Sequence, residues 1–321
     1  MNQQSLDGML AGRLTRRATL QGVGVAGLAA ALASRTPTAV FAQGATPAVA
    51  TYPEVVITAT DYAFDIPATI DGGWTLLTID NQGQDLHHAL FLRPTGDATV
   101  EDIQAAMQES DPGALFELAS SFGGPPSVGP GERATVAMNL APGQYVVACA
   151  IPGADGMPHY AMGMHAAVEV TARAGNALPA VADTKVTLVD FGFDSLPSDA
   201  PSGPTSWEIF NDGDQLHEMT IFQLVAGVTF DQVMQMMAQP PTASPAASID
   251  ASPVASPAAS PAAGGAPFTT VGGAAPMSSG QTVWAVMDLE AGEYFAICFQ
   301  RDAATGAPHF ALGMIAPFTV A

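Results

Sequence analysis

Two stretches of this chain read as nearly the same text, and self-similarity at this length predicts two copies of one folding unit. Ala141 to Met164 runs APGQYVVACAIPGADGMPHYAMGM, and Glu290 to Met314 runs EAGEYFAICFQRDAATGAPHFALGM. Each is an alternating apolar run that ends in a cysteine, followed by a Gly/Pro loop and then a histidine with a methionine five residues on. Upstream, NQGQDLHH places His87 six residues after Asn81, and NDGDQLHE places His217 six after Asn211. Asn81 to Asn211 and His87 to His217 are offset by 130, whereas Tyr145 to Tyr294 and Cys149 to Cys298 are offset by 149. The 19-residue difference is an insertion, visible as the Ala/Ser/Pro tract 241–265.

Each half therefore offers a soft thiolate (Cys149, Cys298), two imidazoles (His87 and His159, His217 and His309) and a thioether (Met164, Met314). A trigonal His₂Cys set with a long axial Met is the type 1 arrangement that copper tolerates in both oxidation states. Of the 6 histidines, these four alone fall at repeat-equivalent positions; His88 and His165 face Glu218 and Ile315 in the other copy and read as core groups. Met162 competes with Met164 for the axial place, but its counterpart is Leu312, while Met164 matches Met314. The competing reading of the two cysteines, a disulfide, needs the two domain rims docked face to face within about 7 Å between Cα atoms.

On these motifs the chain resembles the cupredoxin, or blue copper, family over nearly all its length after the leader. The resemblance implies an all-β fold of two tandem Greek-key β-sandwiches, each with one inserted short helix. It also implies one copper per domain at most, cycling between Cu(I) and Cu(II), bound by His87, Cys149, His159 and Met164 and by His217, Cys298, His309 and Met314. In that family the C-terminal His ligand lies near the surface in an apolar patch where partners dock; Met157, Pro158 and Tyr160, and Pro308 and Phe310, would form those patches. Two features depart from simple members: the interval from Cys to His spans nine residues in the first copy and ten in the second, and His87 is followed by His88 rather than Asn.

The implied function is electron transport by an exported protein, with a redox partner protein that carries a basic docking surface. Storage or delivery of copper, and a metal-free cupredoxin-like binding module, are the alternatives the sequence leaves open. A catalytic copper centre is not expected, and no catalytic residue is assigned. Resembling multicopper oxidases would require His-x-His pairs, which the chain lacks, and resembling copper nitrite reductases would require a His beside the Cys, where Ala148 and Ile297 stand.

Composition bounds the rest. Nine Lys and Arg against 30 Asp and Glu give a net charge of -21, which argues against nucleic acid as a partner. Thr15-Arg16-Arg17, an apolar run from Gly22 to Ala33 and Val40-Phe41-Ala42 read as an export signal of twin-arginine type over 1–42. Thr19 replaces the usual bulky residue of that motif, so ordinary secretion stays open. The apolar run is short of the roughly 20 residues that span a membrane, so no span is expected after signal removal. The protein is then periplasmic, cell-surface or extracellular.

A flexible N-terminus covers 43–53, the first cupredoxin-like domain 54–172, a linker 173–183 and the second domain 184–321. The disordered insertion, 239–266, falls inside the second domain, because its composition cannot offset its ordering entropy. Alternating runs predict antiparallel strands at 55–64, 74–80, 88–92, 134–140 and 144–150. In the last of these, Tyr145, Val147 and Cys149 share one face. Helical stripes begin at Thr99, with Asp102 three residues on, and at Thr229, with Gln232.

Overall fold

The computed structural model describes residues 52–109, 112–173, 182–238 and 267–321. The expected leader 1–42, the insertion 239–266, nearly all of the flexible N-terminus and most of the linker lie outside the described residues.

The first half contains β1 (Glu54–Thr60), β2 (Ala63–Asp65), β3 (Thr69–Asp71), β4 (Gly73–Asn81), β5 (Leu90–Pro94), α1 (Val100–Ala106), α2 (Pro112–Leu118), β6 (Ala119–Ser121), β7 (Arg133–Leu140), β8 (Gly143–Ala148) and β9 (His165–Thr171). The second repeats this order with β10 (Thr184–Val189), β11 (Gly192–Asp194), β12 (Asp199–Ala200), β13 (Gly203–Asn211), β14 (His217–Leu224), α3 (Phe230–Ala238), β15 (Phe268–Met277), β16 (Thr282–Leu289), β17 (Gly292–Ile297) and β18 (Ile315–Val320).

Each half is a two-layer sandwich. One layer is its own five-stranded sheet, β3-β9-β8-β5-β6 or β12-β18-β17-β14-β15. The other layer is shared: β11-β10-β13-β16-β7-β4-β1-β2 form one eight-stranded sheet running through both halves. The seam is the antiparallel pair β7–β16, with Val136 opposite Ala285. Backbone bonds also cross between the five-stranded sheets, from Ala275 N to Gly124 O (2.9 Å) and from Ser278 N to Ser121 O (2.9 Å).

Alternation along β8 explains how the cysteine is delivered. Tyr145, Val147 and Cys149 are all 0% exposed and join the core between the layers, while Val146 and Ala148 face outward against α1. That helix carries the expected capping box between Thr99 and Asp102, and buries Val100, Ile103 and Met107.

Three expectations need correction. The run 55–64 is not one strand but the hairpin β1–β2, turned at Asp61-Tyr62. The pairings are not all antiparallel: β1 lies parallel to β4, and β10 to β13, because β3 and β12 first cross to the opposite layer. The first half also has a second helix, α2, whose Pro-Gly start carries none of the periodic signal that reveals α1.

Candidate metal centres

Two clusters of His and Cys are built the same way. In the first half His87 Nδ1 lies 3.2 Å from His159 Nδ1, and Cys149 Sγ lies 3.5 Å from His159 Nδ1 and 4.0 Å from His87 Nδ1. In the second the corresponding separations among His217, His309 and Cys298 are 3.0, 3.5 and 4.0 Å. All six side chains are at most 1% exposed. Three atoms with these separations share an in-plane centre about 2.1 Å from each, the length of a metal bond to imidazole and about 0.2 Å short of one to thiolate. The donor set therefore fits a soft transition-metal ion in both halves.

Local folding places each ligand. His87 and His217 end loops that begin at Asn81 and Asn211, and those two amides hold the loops shut. Asn81 Nδ2 donates to Asp85 O (2.8 Å) and Val128 O (2.9 Å), and its Oδ1 accepts from Gly83 N (2.9 Å). Asn211 repeats this with Gln215 O, Met277 O and Gly213 N. His159 and His309 open short 3-10 helices, His159–Met162 and His309–Leu312, that fold back on the cysteine: Tyr160 N donates to Cys149 O (2.8 Å), and Phe310 N to Cys298 O (3.1 Å).

Met164 and Met314 are fully buried in the same core cluster as the cysteines. The backbone ties each to its neighbours, through Cys149 N to Met164 O (3.1 Å) and Met164 N to His159 O (3.0 Å), and through Cys298 N to Met314 O (3.0 Å). Cys149 and Cys298 are both free thiols, not a disulfide.

Electrostatics suit these groups to ligation. Burial lowers the pKa of His87, and takes His159 and His309 down to about 4, so these three imidazoles keep free lone pairs at neutral pH. Burial raises the Cys149 thiol to about 12, and raises Cys298 as well, so a metal must displace a proton from each.

The sequence reading missed two carboxylates. Asp61 Oδ1 lies 2.7 Å from His87 Nε2, and Asp190 Oδ1 lies 2.8 Å from His217 Nε2. Burial works to raise the Asp61 carboxyl, but the Gln84 amide and the His87 contact hold it below its usual value; Asp190 is held down mainly by His217. An ionised carboxylate accepts the Nε2 proton, which leaves Nδ1 bare and aimed into the cluster. Gly83 and Gly213 sit over this contact, where a Cβ would come within 2.8 and 2.6 Å of the respective Nε2. A signal was present in the repeat, since Asp61 and Asp190 both open an Asp-aromatic-x-Phe-Asp string, DYAFD and DFGFD.

One implied feature is corrected. Tyr160 turns inward to pack with Leu90 and Val146 instead of lining a surface patch, while His159 and His309 are 1% and 0% exposed. Met157 is 46% exposed, and Pro158, Pro308 and Phe310 of the expected patches are partly exposed.

No family model matches this sequence, and no curated protein does. Among solved structures, it is similar to a multicopper oxidase (15% identity, 84% of this chain and 88% of that one, TM-score 0.23). It is also similar to an auracyanin from Roseiflexus castenholzii (21% identity, 37% and 96%, TM-score 0.25) and to copper nitrite reductase from Nitrosomonas europaea (14% identity, 84% and 93%, TM-score 0.23). Likenesses this loose decide nothing about the two sites, which stand on their own geometry.

Proposed function

We propose that the protein is an exported electron carrier with two type 1 copper sites, one in each half. The observation that supports this most directly is the pair of triangles formed by His87, Cys149 and His159 and by His217, Cys298 and His309, each with its centre at bonding distance. Copper held there would supply one-electron exchange between Cu(II) and Cu(I). The chain's own part is to fix the ligands beforehand. Asp61 and Asp190 set the tautomer of the first imidazole, the loop amides of Asn81 and Asn211 hold its position, and the strand end presents the sulfur inside a dry core. Met164 and Met314 are the proposed axial ligands. Sites that are rigid in this way reorganise little when the charge on the ion changes, which favours transfer over storage.

A carrier is favoured over an enzyme because four of the six histidines are used in the two triangles and a fifth, His88, accepts the amide of Ala150 at 2.8 Å. A redox partner with a basic docking surface is in keeping with the charge of -21, which would steer it and make association salt-sensitive. The arginine-containing leader supports export to the periplasm, the cell surface or the medium. No helix among the described residues is long and apolar enough to cross a membrane.

Loading the purified chain with copper tests the reading. Expected are two ions per chain and strong visible absorption from thiolate-to-copper charge transfer, both lost when Cys149 and Cys298 are changed together to Ser. Copper bound without that absorption would instead indicate storage or delivery, and failure to bind any would indicate a metal-free module.

A further inference from the structure

Although the second imidazole of each cluster is sealed from water, something half-exposed packs on it. Tyr62, from the β1–β2 turn, has its ring centre 4.6 Å from that of His159, and Phe191, from the equivalent β10–β11 turn, meets His309 edge-on at 5.1 Å. Both aromatic residues are partly exposed, so each ring touches a ligand on one side and solvent on the other. Phe191 sits at φ 66°, a conformation that is costly for a bulky residue, so the fold imposes this placement.

The two turns differ in a correlated way. Tyr62 donates its phenol to Asp85 Oδ2 at 2.7 Å, and the charges of Asp61 and Asp155 also bear on it. In the second half the phenol is missing, and Gln215 stands in place of Asp85, turned instead to Asp302 Oδ1 (3.0 Å) and the Ala303 amide (2.8 Å). Gly313 lies against the Phe191 carbonyl, and Leu312, the residue before it in the His309 loop, is 41% exposed.

The seam separates the two turns. Val136 and Ala285, paired at its centre, are repeat equivalents, so the halves are related by an approximate two-fold axis there. The first cluster lies beyond the Arg133 end of β7 and the second beyond the Thr282 end of β16, and these strands are antiparallel. The clusters therefore open at opposite ends of the shared sheet, at least about 20 Å apart at the rise of a strand.

We propose that Tyr62 and Phe191 are two separate electron ports at opposite ends of the molecule, the first suited to a cationic one-electron partner and the second to a partner with an apolar contact face. This rests on the reading that both clusters hold copper. In each encounter the partner would touch the ring and give up one electron, which copper held behind the imidazole would take up as Cu(II) becomes Cu(I), with no proton or covalent bond exchanged.

The test uses full-length copper-loaded chain with one site at a time, Cys298→Ser keeping the first and Cys149→Ser the second, reduced by hexaammineruthenium(II). With the first site alone, Asp85→Asn combined with Asp155→Asn should slow bleaching about tenfold at low salt and hardly at all at high salt. Tyr62→Phe should keep the rate, and Tyr62→Ala should slow it with the visible spectrum unchanged. An independent readout needs no metal: on the copper-free chain, the redox-inert paramagnetic ion hexaamminechromium(III) should broaden the NMR signals of Tyr62 and Asp85 well before those of Phe191. Equal broadening at both turns, or an unaltered rate in Tyr62→Ala, overturns the ports while leaving the copper sites standing. Colourless single-site proteins would instead sink the reading beneath them.

Discussion

The two His/Cys clusters agree wherever an atom must be held and part company one residue further out. Both use an Asp on Nε2 of the first histidine, an Asn amide across the loop and a buried thiol, at separations that differ by at most 0.2 Å. Behind the cysteine, however, the first half has His88 and the second has Glu218. Both accept from the loop that leaves the cysteine: His88 Nε2 from Ala150 N at 2.8 Å, and Glu218 Oε1 from Phe299 N and Gln300 Nε2, each at 3.1 Å. A single structural task thus tolerates opposite charge preferences. Burial drives His88 down to about 3 and Glu218 up to about 7. The contacts that position the candidate ligand atoms are the same in both halves, and the groups that surround them differ.

Removing one sulfur at a time has the largest expected effect. Cys149→Ser and Cys298→Ser should each lose one ion and about half of the visible absorption, measured by metal analysis and spectroscopy; if either change empties both sites, the halves are not independent.

Next in size comes the residue behind the cysteine, read from urea unfolding of the copper-free chain against pH. Between pH 4.5 and about 7 folded Glu218 keeps a proton that the unfolded chain releases, so stability should fall as pH rises through that window, by about 3 kcal/mol in all. Glu218→Gln should remove this slope. His88 works in the opposite sense: below pH 6.5 the unfolded chain takes up a proton that the folded one refuses, so stability is lost as pH falls toward 3, and His88→Gln should flatten that limb.

Smaller effects test what the halves share. Asp61→Ala and Asp190→Ala should each weaken copper binding at their own site by about 10- to 100-fold in competition titrations. Smallest is the pair of helix starts. Thr99→Ala breaks a two-way capping box and should cost about 1 kcal/mol of the unfolding free energy, with Thr229→Ala costing no more because its partner Gln232 carries no charge to meet the helix dipole.

Much of this architecture was legible in the chain because its signals are local or repeated. Alternation placed Tyr145, Val147 and Cys149 on the inner face, and the Thr99-Asp102 pair marked the start of α1. Comparing the copies separated His87 and His159 from His88 and His165. Other features were hidden for physical reasons. The run 55–64 alternates like one strand, and only the Asp61 carboxylate, bonded to the amides of Gln84 and Asp85 as well as to His87, shows why the chain must turn there. A Tyr on an imidazole, or a Gly over a carboxylate, is a contact between segments that no spacing rule connects.

Reading along the chain was enough to recognise two repeats, to pick eight candidate ligand side chains and to put the two cysteines at the ends of alternating runs, since periodicity and internal repetition are written along one dimension. The tertiary structure alone decided that the units share a sheet through Val136 and Ala285, that their ligand clusters face opposite ends, and that the second histidine of each lies under an aromatic ring. Pairing between edge strands and packing across a turn depend on surfaces assembled from distant residues, and those surfaces exist only once the chain has folded.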